Sequence, residues 1–578
     1  MRNWVLFFLL FSCYYGRTQN FNSLIPYDSL KYTSSIGGQL DSIDLFNAFL
    51  SSTNPSGSIS ELNTFTPRWL FTNHGAQIQQ NFNSWKPLVF SGLPHIGFNY
   101  SFGSQGVQNV LMSYQQSFGK QLIVNLEYKK NKGSGFLRNG DYNLNDLEFQ
   151  LAKKGAFYSF LTQASYLTSE FHVNNGLLVD SLADDFALRL LPVQKENAFH
   201  SNQRTNLIHT NYFDFSKDSI VAVGLFSSHQ LQIRNLRYSE EIDTLSLIYN
   251  EINYDSTLTM DQNQLSSITN GAGFYLKNKK VAFGVGAEVR YWKYDNLQHI
   301  NDTTEVNLAA NFQYQTRKFK FSEIHNHNLI GAKQEFKNEL TTSILVGRSK
   351  LNVSLNYSSE LPDVHQRFIY ANNYAGTIQN PQKQNRFFGD VAFQQSFRGI
   401  DLNAGASYVS LKNNYFFIDS IWRNDTITNL SALQFNLRAT YRFKKMYLQP
   451  SYTFAINSSA IQFIPNHQIN LRTFLKGGLF KAKKMQAYIG IDASYLSQFS
   501  PIQFNSLIGS YEFWNTSSVN SGYFNLHFFT GFQIDEFKFY VRFENIGYFW
   551  NQHSMPVLTN HPIPGTQFRL GLTWDFFN

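Results

Sequence analysis

The last strand-like segment of the chain alternates apolar and polar residues without a break. Between positions 567 and 576 the odd positions are polar or small, and the even ones are Phe568, Leu570, Leu572, Trp574 and Phe576. Side chains of a strand point alternately to its two faces, so this segment has one apolar and one polar face. Its length suits a tilted strand that crosses a bilayer. Soluble sandwiches also contain such strands, so the argument depends on recurrence.

The same alternation recurs in pairs of segments joined by tight turns. Asp535-Glu536 separates two alternating segments at 524–534 and 537–543, and Lys444-Lys445 separates segments at 433–443 and 446–454. Similar turns fall at 119–120, 152–155, 215–219, 277–280, 316–318, 347–350, 397–400 and 476–483. These hairpins number about ten, and a lone first strand near 95–103 and the closing strand bring the total to about 22, within a range of roughly 18 to 24.

Longer polar stretches separate the hairpins, at 169–205, 231–266, 359–385, 412–430, 496–521 and 549–565. Short turns that alternate with long loops are typical of bacterial outer-membrane barrels. The predicted fold is therefore all-β: a large transmembrane antiparallel β-barrel with short periplasmic turns and long extracellular loops. An even strand number places both ends of the barrel on the periplasmic side. A series of soluble β-domains is the alternative, but it does not account for the regular alternation of turns and loops.

Composition agrees with a barrel and excludes a helical membrane protein. Aromatic residues make up 17% of the 578 residues and charged residues only 15%, while the mean hydropathy is −0.31. A membrane-spanning helix needs a continuous apolar run of about 18 residues or more, and the sequence contains none. In an alternating strand every apolar residue has a polar neighbour, which keeps the average hydropathy low.

The N-terminal residues predict export. Arg2 precedes an apolar run at 4–11 that is too short to span a membrane, and we predict a signal peptide at 1–18 that is cleaved near Thr18. A lipoprotein signal ending at Cys13, the one cysteine, is the alternative. Residues 19–92 are predicted to lie in the periplasm or to occupy the lumen, because they show no independent core. Residues 93–578 form the predicted barrel.

Charge and motifs exclude several classes of function. The net charge is +8, but the basic residues lie largely in short turns and form no nucleic-acid-binding motif. The sequence contains no HExxH, P-loop, GxSxG or CxxC motif, so we expect no catalytic residues, no cofactor and no resident metal. Glu323, His325 and His327 share one strand face and are candidate metal ligands, but a solvated strand end is the favoured interpretation. A hydrolase built into a barrel would need a Ser–His pair at the rim. His527 is the best-placed inward histidine, and no serine stands out beside it.

Charged residues recur on the predicted inward faces of the last strands. They are Arg438, Arg442, Arg472, Lys538, Arg542, Arg569, Asp492, Glu544 and Asp575. Charged side chains are tolerated in a wet lumen, where rings of charge set the ion preference of a pore. Two roles remain open for these residues. In the first, the acidic and basic side chains pair with each other as a structural lattice. In the second, the surplus of basic groups makes the pore select for anions.

Several short segments resemble those of one large family. They include 114–118 (Tyr114-Gln115-Gln116-Ser117-Phe118), 133–136, 152–166, 171–176, 94–108, 191–193, 209–212 and 564–577. Together they resemble a family of bacterial outer-membrane porins over most of the chain. The resemblance implies a barrel fold and an outer-membrane location, and it carries over no site residues. The sequence departs from the family at its end, where Phe577-Asn578 replaces the more usual terminal aromatic residue.

The function expected from this resemblance and from the residues is passive diffusion of small hydrophilic solutes through an outer-membrane porin. A specific nutrient-uptake barrel that works with an unidentified partner is one alternative, and a structural or adhesive barrel is another. The expected partners are outer-membrane lipids, the solutes and the barrel-assembly machinery, and nucleic acid is not among them.

Overall fold

A computed structural model gives the fold. It describes residues 88, 93–119, 121–179, 186–215, 221–242, 251–296, 299–331, 334–378, 380–418, 421–424, 429–457, 465–481, 484–499, 502–505, 510–513, 522–550, 562 and 565–577. The predicted signal peptide, Cys13 and almost all of the predicted segment 19–92 lie outside this part of the chain. The described residues form one 22-stranded sheet and two small additional sheets.

The strands follow one another in chain order. They are β1 (His95–Gly103), β2 (Gln108–Phe118), β3 (Leu122–Gly133), β4 (Tyr142–Lys153), β5 (Tyr158–Val173), β6 (Ala198–Asp214), β7 (Val221–Glu241), β8 (Leu258–Asn278), β9 (Val281–Asn296), β10 (His299–Gln315), β11 (Phe319–Ile330), β12 (Phe336–Val346), β13 (Ser349–Glu360), β14 (Phe368–Ala371), β15 (Tyr374–Thr377), β16 (Gln384–Phe397), β17 (Ile400–Lys412), β18 (Phe416–Ile418), β19 (Ile421–Arg423), β20 (Leu430–Phe443), β21 (Met446–Asn457), β22 (His467–Leu479), β23 (Met485–Leu496), β24 (Ile502–Asn505), β25 (Ser510–Phe513), β26 (Tyr523–Ile534), β27 (Phe537–Glu544) and β28 (Gln567–Phe577).

The large sheet closes on itself as an antiparallel barrel. Each of its strands pairs with the next one along the chain, except that β14, β15, β18, β19, β24 and β25 are left out. The first strand pairs with the last, from His95 opposite Phe577 to Gly103 opposite Arg569. This closure confirms the predicted barrel of about 22 strands. Because the strand number is even, both ends of the barrel lie at one rim.

The rim that carries both ends, called the turn rim below, is formed by the ten short strand-to-strand connections predicted from the sequence. Lys444 and Asp535 adopt positive φ angles of 53° and 47° in their two-residue turns. Arg398 and Gly399 both have positive φ, at 43° and 84°, as a type I′ hairpin requires. The backbone twist of such turns matches that of the flanking strands, so each hairpin closes without splaying.

Connections at the opposite rim, called the loop rim below, are less uniform than the sequence predicted. Long connections at 174–197, 242–257, 361–383, 413–429, 497–522 and 545–566 match the predicted loops. Short ones also occur, as at 104–107 and 331–335. The strands β7 and β8 span 21 residues each, about twice what a bilayer requires. These strands therefore extend beyond the membrane as a tall wall at the loop rim.

The two faces of the barrel follow the alternation in the sequence. In β28, Trp574 is exposed on the outer face, whereas Arg569 and Gly571 are buried on the inner face. Inward glycines relieve crowding inside the barrel, as at Gly286 on β9. A Cβ added at Gly286 would lie only 2.7 Å from Cζ of Phe226, whose ring covers this glycine from β7.

The helices of the described chain are short. The longest α-helical turn, α1 (Val364–Arg367), begins at Asp363, whose side chain accepts a hydrogen bond from the N–H of His365. Ser104–Gly106, Leu188–Leu190 and Ile546–Trp550 are 3-10 turns. Within the described ranges, every helix lacks the length and the apolar character needed to cross a membrane.

Candidate functional site in the barrel lumen

A chain of alternating arginine and carboxylate side chains runs across the inner face of β22, β23, β27 and β28. Arg472 donates to Asp492 through Nε and a terminal nitrogen, at 2.5 and 2.9 Å. Arg542 donates at 2.8 Å to Oδ2 of Asp492, the oxygen that also accepts from the terminal nitrogen of Arg472. Glu544 lies 3.6 Å from Arg542 and 2.9 Å from Arg569. Five of the nine predicted lumenal charges are therefore brought into one arrangement.

Strand register places these five residues together. Arg472 lies directly opposite Asp492 on β23, and Arg542 lies opposite Arg569 on β28. All five are buried, with Arg542 and Arg569 among the most deeply buried large side chains described. Buried ions of opposite sign need close pairing to offset the loss of hydration. The alternation of sign along these five side chains satisfies this requirement, as the structural-lattice interpretation expects.

His527 adjoins the arginine–carboxylate chain but has its own partner. It lies opposite Asp492 on β26, is 2% exposed, and accepts a hydrogen bond at Nδ1 from the backbone N–H of Asn545. This contact ties the loop-rim end of β27 to the barrel wall. Nδ1 of His527 is thus occupied by a structural hydrogen bond to the backbone of Asn545.

The other four predicted lumenal charges lie apart from the arginine–carboxylate chain. Arg438 is on the inner face of β20 and is exposed. Arg442 donates to Asp401 at 3.2 Å, and both side chains of this pair are exposed to solvent. Asp575 lies 3.7 Å from Nε2 of His95 near the turn rim, and Lys538 lies opposite Thr573 on β28. These four line the part of the lumen closer to the turn rim.

An acidic cluster on β3 and β4 was missed by the sequence analysis, which considered only the last strands. Lys129 lies 2.9 Å from Glu127, 3.1 Å from Glu148 and 3.5 Å from Asp146. The three carboxylates are buried, and one ammonium group serves them all. Their alternation with Val124, Leu126 and Leu147 would have revealed their inward position. This cluster offsets the positive surplus of the arginine–carboxylate chain elsewhere in the lumen.

A loop folds across the lumen at the loop rim, and we call residues 361–378 the roof. It leaves β13, passes over β10–β12 and packs on the inner face of the tall wall formed by β7, β8 and β9. The Asn296 side chain donates to the carbonyl of Phe368 at 2.6 Å, and the guanidinium of Arg367 lies 5.9 Å from the ring centre of Trp292. The roof therefore covers part of the lumen at the loop rim.

Asn372, at the tip of the β14–β15 hairpin, holds the roof in place. It is fully buried, and its side-chain oxygen accepts from the backbone N–H groups of Tyr254 and Asp255, both at 3.0 Å. Its own N–H donates to Asp261 at 2.8 Å. Asp261 stands at the loop-rim end of β8, above the bilayer, and burial raises the pKa of its carboxyl to about 6. The sequence of the roof is polar and has no periodic pattern, so these contacts could not be predicted from it.

The roof also contacts a second structure from the other side of the barrel. Phe417 of β18 packs against Ile369 and lies 5.4 Å, centre to centre, from the ring of Tyr374. The strand β18 belongs to a four-stranded sheet in which it pairs in parallel with β25. Loops 361–383, 413–429 and 497–522 are therefore linked above the lumen.

The inner wall of β16 and β20 is open to solvent below the roof. Its exposed inward side chains are Gln394, Ser396, Asn436 and Arg438. Toward the loop rim the same wall is buried, as at Val409 and Gln434. A polar, water-accessible surface therefore lines the part of this wall that is nearer to the turn rim.

Glu323, His325 and His327 lie on the outer face of β11. Their parity is that of Phe319 and Phe321, and His325 lies opposite Asn338 on β12. In the described ranges no group of three or more histidine, cysteine or acidic residues is arranged to hold a metal ion.

Fold and lumen together define an outer-membrane-type β-barrel. Among solved structures, the chain is similar to BauA, the ferric preacinetobactin receptor from Acinetobacter baumannii, at 12% identity over 84% of this chain and 80% of that one, with a TM-score of 0.53. It is also similar to the FrpB iron transporter (F3-3 variant) from Neisseria meningitidis, at 9% identity over 84% and 82% with a TM-score of 0.56. The copper transporter OprC is similar at 9% identity over 85% and 82%, with a TM-score of 0.58.

Sequence comparison then identifies the family. The family model described as "Putative porin" matches residues 93–578, and the chain belongs to this family. The match confirms the resemblance noted from the sequence. Comparison with curated proteins gives no match. The similar solved structures are too distant in sequence to show more than the shared fold.

Proposed function

We propose that this protein is an outer-membrane channel that allows small hydrophilic solutes to cross by passive diffusion. The observation that carries the proposal is the exposed polar inner wall of β16 and β20, at Gln394, Ser396, Asn436 and Arg438. A closed sheet satisfies its own backbone groups in lipid, so its interior is free to be wet. In this proposal the turn rim faces the periplasm and the loop rim faces outward.

The pattern of charge predicts a weak ion preference. The arginine–carboxylate chain and the acidic cluster on β3 and β4 hold their charges in close pairs, which limits the field that they project into the lumen. Arg438 and Arg442 are solvent-exposed basic groups on the inner wall, and among the described residues only Arg442 of the two has a carboxylate partner, Asp401. We therefore expect a slight excess of anions beside this wall. No step of this transport requires a catalytic group or a cofactor.

Current measurements across a planar bilayer test the proposal. The refolded protein is expected to conduct with a weak anion preference in 0.1 M salt, where the Debye length is about 10 Å, and the preference should fade in 1 M salt. Arg438→Gln combined with Arg442→Gln should reduce it. Arg237→Gln is the matched control, because it removes a positive charge from the outer face of β7 (Arg237 is exposed there). A folded barrel that passes no current, even with the Asn372→Ala change in the roof, would contradict the proposal.

Specific uptake of a bound nutrient is the second candidate. The roof favours it, since a covered mouth suits a solute that is first bound from outside. The similar solved structures include receptors and transporters for siderophore-bound iron and for copper. A specific uptake barrel would show little current as isolated protein and saturable, solute-dependent transport in cells. A diffusion channel would show current in the absence of any partner.

A further inference from the structure

Six polar residues form a patch on the outer face of the barrel, where lipid is expected. This outer-face polar patch consists of Thr162, His209, Asn211, Ser227, His229 and Asn270. Each stands at a position of the same parity as exposed apolar neighbours on its own strand. On β6 the neighbour of His209 is Leu207, and on β8 the neighbours of Asn270 are Ile268 and Phe274; these three are 41%, 50% and 66% exposed.

The patch is continuous across four strands. Register places Thr162 opposite His209, His209 opposite His229, and His229 opposite Asn270. Thr162 and His209 are hydrogen-bonded at 2.8 Å, and so are His229 and Asn270. Asn211 links His209 at 2.9 Å to the hydroxyl of Ser227 at 3.2 Å. These side chains are thus ordered relative to one another and make a single surface.

The patch lies within the apolar band. On β7, outward Leu225 stands below Ser227 and His229, and Leu231 and Ile233 stand above them. On β8, Phe274 and Ile268 bracket Asn270 in the same way. Polar groups facing hydrocarbon are costly unless they have hydrogen-bond partners. His229 and Asn270 are exposed, and each makes one side-chain hydrogen bond within the described chain.

We propose that the outer-face polar patch is the contact between two copies of this chain in the membrane. Imidazole, amide and hydroxyl groups both donate and accept hydrogen bonds, so the patch is complementary to itself, as a two-fold symmetric contact requires. It carries no carboxylate, lysine or arginine whose charge would oppose its own copy. Outward Ala164, Ala272 and Ala287 surround it, and small residues allow two surfaces in lipid to approach closely.

A second polar region on the outer face fits a self-contact less well. On β11 and β12 it comprises Glu323, His325 and Asn338. A two-fold contact there would bring the two Glu323 carboxylates toward each other in a medium of low dielectric constant, where like charges repel strongly. The patch on β5–β8 has no such charge, and it spans more strands.

A double variant tests the proposed dimer. The purified full chain is placed in detergent and in lipid nanodiscs, and the mass of the particle is measured by light scattering. Wild type should be a dimer, and His229→Leu combined with Asn270→Leu should be a monomer. Leucine is favourable in lipid, so this variant should fold. His325→Leu combined with Asn338→Leu is the matched control and should remain a dimer.

Cross-linking identifies the surface directly. In a Cys13→Ser background, Ser227→Cys should form a disulfide-linked dimer under mild oxidation in the membrane. Leu471→Cys on the outer face of β22, far around the barrel, should not. A monomeric wild type, a dimer that survives the leucine variant, or equal cross-linking at both positions would overturn the proposal. A larger complex that contains a different protein would also overturn it, because a partner of another kind would then cover the patch.

Discussion

Leu572 and Thr573 are adjacent in the chain but face opposite environments. Leu572 lies on the outer face between Tyr100 and Phe539, and Thr573 lies on the inner face between Asn99 and Lys538. Alternation alone was enough to predict these orientations, because a residue in a strand has only two faces to choose between.

The first prediction follows from this difference. Arginine at a lipid-facing position near the bilayer midplane costs roughly 2–4 kcal/mol, whereas lumenal substitutions are milder. Leu572→Arg should therefore reduce the yield of assembled barrel in the outer membrane much more than Thr573→Arg. The yield is measured as the heat-modifiable folded form on a gel. Equal losses in the two variants would mean that β28 does not have the assigned faces.

The sequence predicted which charged residues point inward in the arginine–carboxylate chain, but it did not predict which of them pair with each other. Sequence placed Arg472, Asp492 and Arg542 on inward faces, yet the height of each residue depends on the stagger of the strands around the barrel. That stagger is set by the closure of the whole sheet, which no local pattern encodes.

Within the arginine–carboxylate chain, substitution of Asp492 should lower the stability of the barrel most. Asp492→Ala leaves Arg472 and Arg542 without the carboxylate that both contact, and breaking a buried pair typically costs about 3–5 kcal/mol. The free energy of unfolding in urea should fall accordingly. Asp401→Ala is the control, because its pair with Arg442 is exposed and such pairs contribute about 1 kcal/mol or less. Similar effects of the two changes would show that the buried chain does not stabilise the barrel.

Strands and tight turns were the elements that the sequence predicted best. Each predicted short turn lies where the structure has one, because a two-residue connection forces the flanking strands to pair. The roof was not predicted. Its contacts depend on Asn372 meeting Tyr254 and Asp261, which lie more than a hundred positions away in the chain, and no periodic pattern connects them.

The roof should respond to pH. Asp261 has an ordinary pKa of 3.8, and burial raises it to about 6 even though the hydrogen bonds from Tyr254 and Asn372 lower it. Burial outweighs these hydrogen bonds, so the closed roof binds a proton at Asp261 more tightly than an open roof that exposes this carboxyl to water. This contribution to closure is fully present below about pH 4 and is lost as pH rises through about 6.

Hydrogen exchange measures this response. After correction for intrinsic rates, the backbone of residues 361–378 should exchange more slowly at pH 5 than at pH 7.5. Asp261→Asn should remove the difference. Exchange that is independent of pH in the wild type, or slower at pH 7.5, would rule out this role for Asp261.

The orientation of the barrel gives a further prediction at the scale of its rims. An epitope tag after Leu190, which is 76% exposed in the 174–197 connection, should bind antibody on intact cells. A tag after Lys444 should bind antibody only when the outer membrane is permeabilised. Labelling of intact cells at Lys444 would reverse the assignment of the two rims.

For the whole molecule, the sequence predicted the architecture more fully than the lumen. Counting alternating segments and turns gave about 22 strands, because each strand carries its own local signal. The distribution of open and filled regions inside the barrel carries no such signal. The buried carboxylates on β3 and β4 and the exposed wall at Asn436 share the same alternating pattern, although their surroundings in the lumen differ.

The central claim is that solutes pass through the lumen along the wall formed by β16 and β20. Cysteine modification during single-channel recording tests it most directly. In a Cys13→Ser background, Asn436→Cys places one thiol on the exposed inner wall, and Leu437→Cys places one on the adjacent outer face. A charged, water-soluble thiol reagent should reduce the current through the Asn436→Cys channel in one step and leave the Leu437→Cys channel unchanged. An unchanged current after complete modification of Asn436→Cys, verified by mass spectrometry, would contradict this path.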